Sequence, residues 1–312
     1  MASEQDSLQQ KLERLSIASS NIRENSIRED FPELLSILLL DQTKSNNRFR
    51  KNIIWSTDEY QKYGEKVYAP TAEILPHLIT GYMEEVIKPR ALKSADERKG
   101  RTKAKAEVFT PTWVVKKQND EVDQAFQEDD LETYVGRTWL EITCGEGPYI
   151  ASRYDMETGL VIPLEERVGF LDRKLYRINQ EIDDKAEWQD LVEKAYQACY
   201  GFEWSGDSLF LARENLLYTY RDYYVEKWQE PLIYPLLKEI AGIISYNLFQ
   251  MDGLTYTIPL SEKREKVTEV QLSLFDDEVV EDKWSIIPGK RAKVMNWKTG
   301  KKEFFDKGVG KS

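Results

Sequence analysis

From Asp6 to about Asp41 the apolar and polar positions alternate as they do in a helix, with "FPELLSILLLD" as the most apolar part and the polar run Ser45 to Asn47 as a break. The stretch "PTAEILPHLITGYMEEVIKPR" gives a second helical pattern, interrupted by Pro76. Together these predict a helical N-terminal region over residues 1–104, closed by a basic linker. Further on the pattern changes. "TWLEIT" reads as a strand running into a glycine turn, a polar helical region follows from about Leu171 to Ala198, and "CYGFEW" reads as a second strand. Helices are expected over "SGDSLFLARENLLYTYRDYYVEKW" and "LIYPLLKEIAGII", then a short strand and turn at "SYNLFQMDGL". Strands separated by helices of this length imply parallel pairing through right-handed crossovers. The expected fold class is α/β, a doubly wound sheet over residues 105–257. Beyond it, residues 258–312 read as an exposed segment, "SEKREKVTEVQLSLFDDEVVED", and a β-hairpin, "AKVMNWKTGKKEFFD", with Thr299-Gly300 at its turn.

Composition narrows the chemistry. The chain of 312 residues is 41% hydrophobic, enough for one sizeable core. No apolar run approaches the roughly 18 residues that span a bilayer, and "MASEQDSLQQ" lacks the basic-then-apolar pattern of a secretory signal. A cytoplasmic protein with no membrane partner is expected. Two cysteines, Cys144 and Cys199, and one histidine, His77, are too few for a structural zinc site or a disulfide framework. His77 lies in the apolar context "ILPHLITGY", which suits a packed or capping histidine better than a catalytic base. Carboxylates, amides, backbone and aromatics are left to carry any chemistry.

The net charge of −11 excludes a surface that is basic all over. Two runs are nevertheless cationic, "KPRALKSADERKGRTKAK" and "KWSIIPGKRAKVMNWKTGKK". Such runs are most simply solvated surface, with phosphate contact as the alternative.

In doubly wound folds ligands sit at the carboxyl ends of the strands, where the first turn must let the backbone approach closely. Gly145 and Gly147 in "LEITCGEGPYI" answer that need, but they form neither the spaced dinucleotide fingerprint nor a phosphate loop. A carboxylate ends each of the next two strands. Glu203 suits a ribose diol, since one charged acceptor takes hydrogen bonds from both hydroxyls, and Asp252 suits an exocyclic adenine amine. The ligand implied is an adenosine derivative without a polyphosphate.

Between Lys105 and Leu254 the order of these pieces resembles the adenine-N6 DNA methyltransferases of bacterial restriction-modification systems, which have a Rossmann-like core. "EVFTPTWVV" looks like the family's segment for the methionine end of S-adenosylmethionine, which implies that role for Phe109, Thr110 and Pro111. "LEITCGEGPYI" is similar to its acidic-x-x-C-G-x-G loop, implicating Glu141, Cys144, Gly145 and Gly147. The resemblance likewise implies ribose binding by Glu203 and adenine binding by Asp252. Three departures stand out. Glu146 replaces a small residue, the stretch from Glu141 to Glu203 is longer than one crossover helix needs, and no Pro-Pro dipeptide occurs before Ser312. Family members use an Asn/Asp-Pro-Pro-aromatic tetrapeptide to hold the flipped adenine. No catalytic residue can therefore be assigned here. The resemblance implies a cofactor-binding subunit of a DNA methyltransferase, with DNA and a second methyltransferase or specificity polypeptide as partners.

The exposed segment also contains "QLSLF", in which Gln271, Leu272, Leu274 and Phe275 match the pentapeptide that bacterial replication and repair proteins dock into the sliding clamp. The alternative function is thus a non-catalytic, methyltransferase-like scaffold or DNA-associated adaptor tethered to the clamp.

Overall fold

The computed structural model describes residues 2–17, 22, 24–46, 48–105, 110–270 and 280–308. The apolar N-terminal pattern resolves into three helices: α1 (Ala2–Leu15), α2 (Ser26–Asp30) and α3 (Pro32–Leu39). The predicted continuous helix breaks at Phe31, because Pro32 disfavours helical backbone in the residue before it while suiting a first helical position. Leu34, Leu35, Leu38 and Leu39 form the buried stripe of α3.

The second predicted helical stretch is a correction. Between Pro70 and Arg90 only short 3-10 turns form, at Pro76–Leu78 and Gly81–Met83. Four breakers explain it: Pro70, Pro76, Pro89 and Gly81, whose φ is +59°. His77 sits there exposed rather than packed. The basic linker is corrected too. Residues 95–105 form α4 (Ala95–Lys105), and two of the run's cations are interior. Arg101 is 2.8 Å and Lys93 3.4 Å from the fully buried Asp207 carboxylate.

After α5 (Thr112–Asp123) and α6 (Leu131–Gly136) comes β1 (Trp139–Glu141). The predicted polar helix of residues 171–198 is two helices, α7 (Phe170–Glu181) and α8 (Lys185–Gln197). Asp184 caps the second by accepting from the Ala186 and Glu187 amides. Then follow β2 (Cys199–Glu203), α9 (Gly206–Trp228), α10 (Tyr234–Asn247) and β3 (Leu248–Gln250). The three strands pair in parallel in the order β1-β2-β3, with Leu140 beside Tyr200 and Phe202 beside Phe249. The fold is mixed α/β, and its parallel sheet is small.

Helix α9 is buried along most of its length and on every side, so its polar residues must find partners inside. Arg213 uses all five guanidinium N–H groups on the carbonyls of Leu38, Leu40, Ser245 and Leu248. One side chain thereby ties the ends of α3 and α10 and the start of β3 to the central helix. Glu214 holds Arg28 of α2 through two hydrogen bonds. A single apolar core accordingly runs from Leu12 and Leu34 through Trp55, Trp188 and Phe210 to Leu248.

Two antiparallel hairpins follow. β4 (Lys263–Val270) pairs with β5 (Val280–Ile287) where the sequence suggested only an exposed segment, and beyond that segment Trp284 and Ile286 on β5 are exposed. The expected C-terminal hairpin is β6 (Lys293–Asn296) with β7 (Lys301–Phe304). Val294 within it and Ala292 and Phe305 at its flanks pack against Phe202, Phe249 and Met251. Among the described residues no helix is long and apolar enough to cross a membrane.

Candidate functional site

Because β1 and β2 are parallel, Glu141 and Glu203 leave the sheet at the same edge. A cavity of about 1160 Å³ opens there, lined by both carboxylates and by Trp139, Tyr149, Phe170 and Trp204. The chain leaves β1 through a loop with left-handed backbone at Thr143 (φ 48°), Gly145 (φ 56°) and Gly147 (φ 80°). The Cys144 amide continues the ladder to Phe202 O at 2.9 Å, and the Gly145 amide then donates to Glu203 Oε2 at 2.9 Å. The glycine turn therefore reaches the second carboxylate directly.

Glu203 also accepts from the Trp204 amide at 2.9 Å and the Ser205 amide at 3.0 Å, both on Oε1. A carboxylate has about four acceptor positions, so roughly one remains for a ligand hydroxyl. Glu141 accepts from the amides of Tyr149 (3.3 Å) and Ile150 (3.0 Å). Burial pushes both carboxyls up, Glu141 to about 8, against the pull of these amides; the charge of Glu203 adds to the rise at Glu141.

The other predicted site residues divide. Thr110 lines the cavity, and Pro111 caps the start of α5 outside it. Phe109 lies outside the described residues, as do Gln271, Leu272, Leu274 and Phe275. Cys144 borders the cavity but is 2% exposed, and burial raises its thiol well above the ordinary range, so it is packing rather than a nucleophile. Gly147 faces α9 instead of the cavity: a Cβ there would lie 3.5 Å from Ala212 Cβ.

Asp252 is not brought to the cavity. Its Oδ1 accepts from the Leu254 amide at 2.8 Å, and its backbone bridges to Thr257, so it shapes a tight turn. Leu260, beyond that turn, reaches the cavity in its place. Glu146, the unusual loop residue, points inward. It accepts from the Arg90 amide at 2.7 Å and the Tyr154 hydroxyl at 2.6 Å, leaving the cavity unaltered. The long connection before Glu203 contributes Pro148, Tyr149, Ile150 and Phe170 to the wall.

Sequence reasoning missed one wall altogether. Ser56, Thr57 and Asp58, distant in the chain, line the cavity together with Ser205 and Ser208. Arg101 of α4 steadies Ser208 at 3.3 Å. The signal was the polar "STD" at the end of the apolar run "NIIW".

Three carboxylates, Asp58, Glu141 and Glu203, border the cavity, and no lysine, arginine or histidine does so among the described residues. Such a wall, acidic and without a cation among the described residues, gives phosphates no partner and suits a ligand that brings hydroxyl donors and a flat ring. No group of side chains that could hold a metal occurs among the described residues. Comparison with protein-family models, with curated proteins and with solved structures found no match.

Proposed function

We propose that the chain is the S-adenosylmethionine-binding subunit of a DNA adenine-N6 methyltransferase of a restriction-modification system, catalytically competent only with a partner polypeptide. One observation carries the reading. Two strand-end carboxyl groups, one of them bound by the Gly145 amide of the glycine turn, face an aromatic-lined cavity with no cation among the described residues of its wall. S-adenosylmethionine meets each demand of that wall: ribose hydroxyls for the free acceptor of Glu203, an adenine for Trp204 or Trp139, and positive sulfonium and ammonium groups for the carboxylates. The doubly wound arrangement belongs to the same proposal, with the three parallel strands as its core.

The cofactor supplies an electrophilic methyl group when bound. This chain's residues then orient it and exclude water. The side chain that would hold the target amine is not among them, since no Pro-Pro dipeptide is present. That same absence favours the second reading, a methyltransferase-like scaffold that binds cofactor without using it.

Calorimetry tests the proposal. The folded wild-type chain should bind S-adenosylmethionine saturably. Removing a hydrogen bond to a charged group costs roughly 1.5 to 3 kcal/mol, so Glu203→Ala should weaken binding on the order of tenfold to a hundredfold. An absence of saturable heat with the folded wild type would overturn the cofactor site.

A further inference from the structure

The C-terminal cationic run is joined in the folded chain by a second one from near the N-terminus. Thr43 Oγ1 accepts from the Lys293 amide at 2.9 Å, and Lys302 Nζ donates to Gln42 O (2.7 Å) and Ser45 O (2.9 Å). These bonds fuse "KSNNRFRK", residues 44–51, and "KRAKVMNWKTGKK", residues 290–302, into one surface. The two segments hold ten lysines and arginines and no carboxylate, in a chain whose net charge is −11.

Both segments are built to present these side chains. Asp41 Oδ1 accepts from the Thr43 and Lys44 amides (2.9 and 3.1 Å), Asn46 Oδ1 from the Arg48 and Phe49 amides (2.8 and 3.0 Å), and Ser45 Oγ from the Lys51 amide at 3.0 Å. The turn so fixed displays Arg48, Phe49 and Arg50, all exposed, with Phe49 at 65%. On the hairpin, Arg291, Lys293 and Lys307 gather about the Phe304 ring, 4.1, 5.0 and 5.8 Å from its centre. Asp306 neutralises Arg291. Arg48, Lys290, Lys293, Lys298, Lys301 and Lys307 make no salt bridge among the described residues. Like charges so crowded repel one another. Burial and the nearby Lys293 and Lys290 pull the Lys302 ammonium below its ordinary value, against the opposing charge of Asp41.

The surface continues into the cavity wall on two sides. The N-terminal turn runs on to Ile54 and Ser56, where Gln250, at the end of β3, acts as a clamp. Its Nε2 donates to Ile54 O (2.9 Å), Ser56 Oγ (2.7 Å) and Trp204 O (2.8 Å), and its Oε1 accepts from the Ile54 amide at 2.9 Å. On the other side the Ile258 amide donates to Lys290 O and the Lys290 amide to Ser261 Oγ, both at 2.8 Å, flanking Leu260 of the wall.

We propose that this two-segment surface is a nucleic-acid interface: its cations seat phosphates of duplex DNA beside the cavity, and Phe49 makes an apolar contact in a groove. Duplex DNA as the polyanion rests on the function proposed above, whereas the surface stands without the cofactor. An anionic membrane fits less well, because Phe49 is the one exposed large apolar side chain of the two segments among the described residues. Contacts to phosphates are independent of sequence, so the chain alone should bind DNA without sequence preference.

Fluorescence anisotropy of the full chain on a labelled mixed-sequence duplex, without cofactor, tests this. The wild type should bind at about 50 mM salt, with the logarithm of its affinity falling by about 0.9 per phosphate contact for each decade of salt. Arg48→Gln, Lys298→Gln and Lys301→Gln combined, exposed positions whose fold is checked by a thermal melt, should weaken binding by roughly a hundredfold and flatten the salt slope by about 3. The same change at Lys62, Lys66 and Lys117, exposed lysines outside the surface, should leave the slope as it is. Phe49→Ala should weaken binding by about threefold to tenfold at an unchanged slope, since an apolar contact releases no counterion. Equal weakening by the two triple variants would mean that net charge alone matters, and the interface would be overturned. Tighter binding to phosphatidylserine vesicles than to the duplex would overturn it as well. A chain that binds the duplex but not S-adenosylmethionine keeps the interface and loses the cofactor site; one that binds S-adenosylmethionine but no duplex loses the interface alone.

Discussion

At the scale of single residues, Glu141 has a measurable consequence for stability. Burial holds its carboxyl at about 8 in the folded chain, against an ordinary value of 4.5, so folding favours the protonated form. Its contribution is fully present below about 4.5 and is lost as pH rises through about 8. Glu141→Gln, which imitates the protonated acid, should remove that loss. Urea unfolding midpoints at about pH 5 and about pH 9 should then show the variant gaining on the wild type as pH rises. Parallel profiles would mean that the carboxylate is solvated in the folded state. Glu203 differs in having three backbone donors to stabilise its charge, and this fits it better to accept hydrogen bonds from a ligand.

Among the elements, α9 is the one on which the others depend, and Arg213 is its most consequential residue. Its five donors satisfy four buried carbonyls from three other parts of the chain. Lysine carries three donors and lacks the planar fork, so Arg213→Lys should keep the charge yet leave carbonyls unpaired. The expected loss is about 3 kcal/mol or more, read as a lowered urea midpoint with an unchanged slope. A variant as stable as the wild type would show that the carbonyl cage contributes little. Elements were legible in the sequence where local pattern decides them. The apolar runs of the three parallel strands, the long helix after "YGFEW", and the Thr299-Gly300 turn were all readable in this way. What escaped depends on distant partners or on punctuation. Pro70, Pro76, Gly81 and Pro89 override an apolar pattern that otherwise looks helical, and the "basic linker" reads as solvated only until Asp207 is seen to bind Arg101 and Lys93. Glu141, Cys144, Gly145, Glu203 and Thr110 could be placed from their strand-end or loop context. Asp252 could not, since its carboxylate is used by its own turn, and Thr57 and Asp58 offered only the polar "STD" after "NIIW", far in the chain from the strands they face.

For the whole molecule, the proposed division of labour makes a further prediction. With no proline-rigidified tetrapeptide, the isolated chain should transfer labelled methyl groups from S-adenosylmethionine to mixed-sequence DNA weakly or not at all. Activity should appear when a second polypeptide supplies that arrangement together with most of the phosphate contacts, with which the net charge of −11 agrees. Robust transfer by the isolated chain would end the two-chain proposal. The Gln250 clamp also bears on how the molecule is made. Its bonds to Ile54 close a span of 196 residues, and the corner they hold belongs to the part of the chain synthesised first. A ribosome emits residues in order, so Ser56–Asp58 leave the exit tunnel long before the glutamine that fixes them. The pocket therefore cannot mature vectorially with its own N-terminal half. It closes as a late, long-range event after β3 has emerged, and until then the apolar run around Trp55 depends on transient cover to stay out of aggregates.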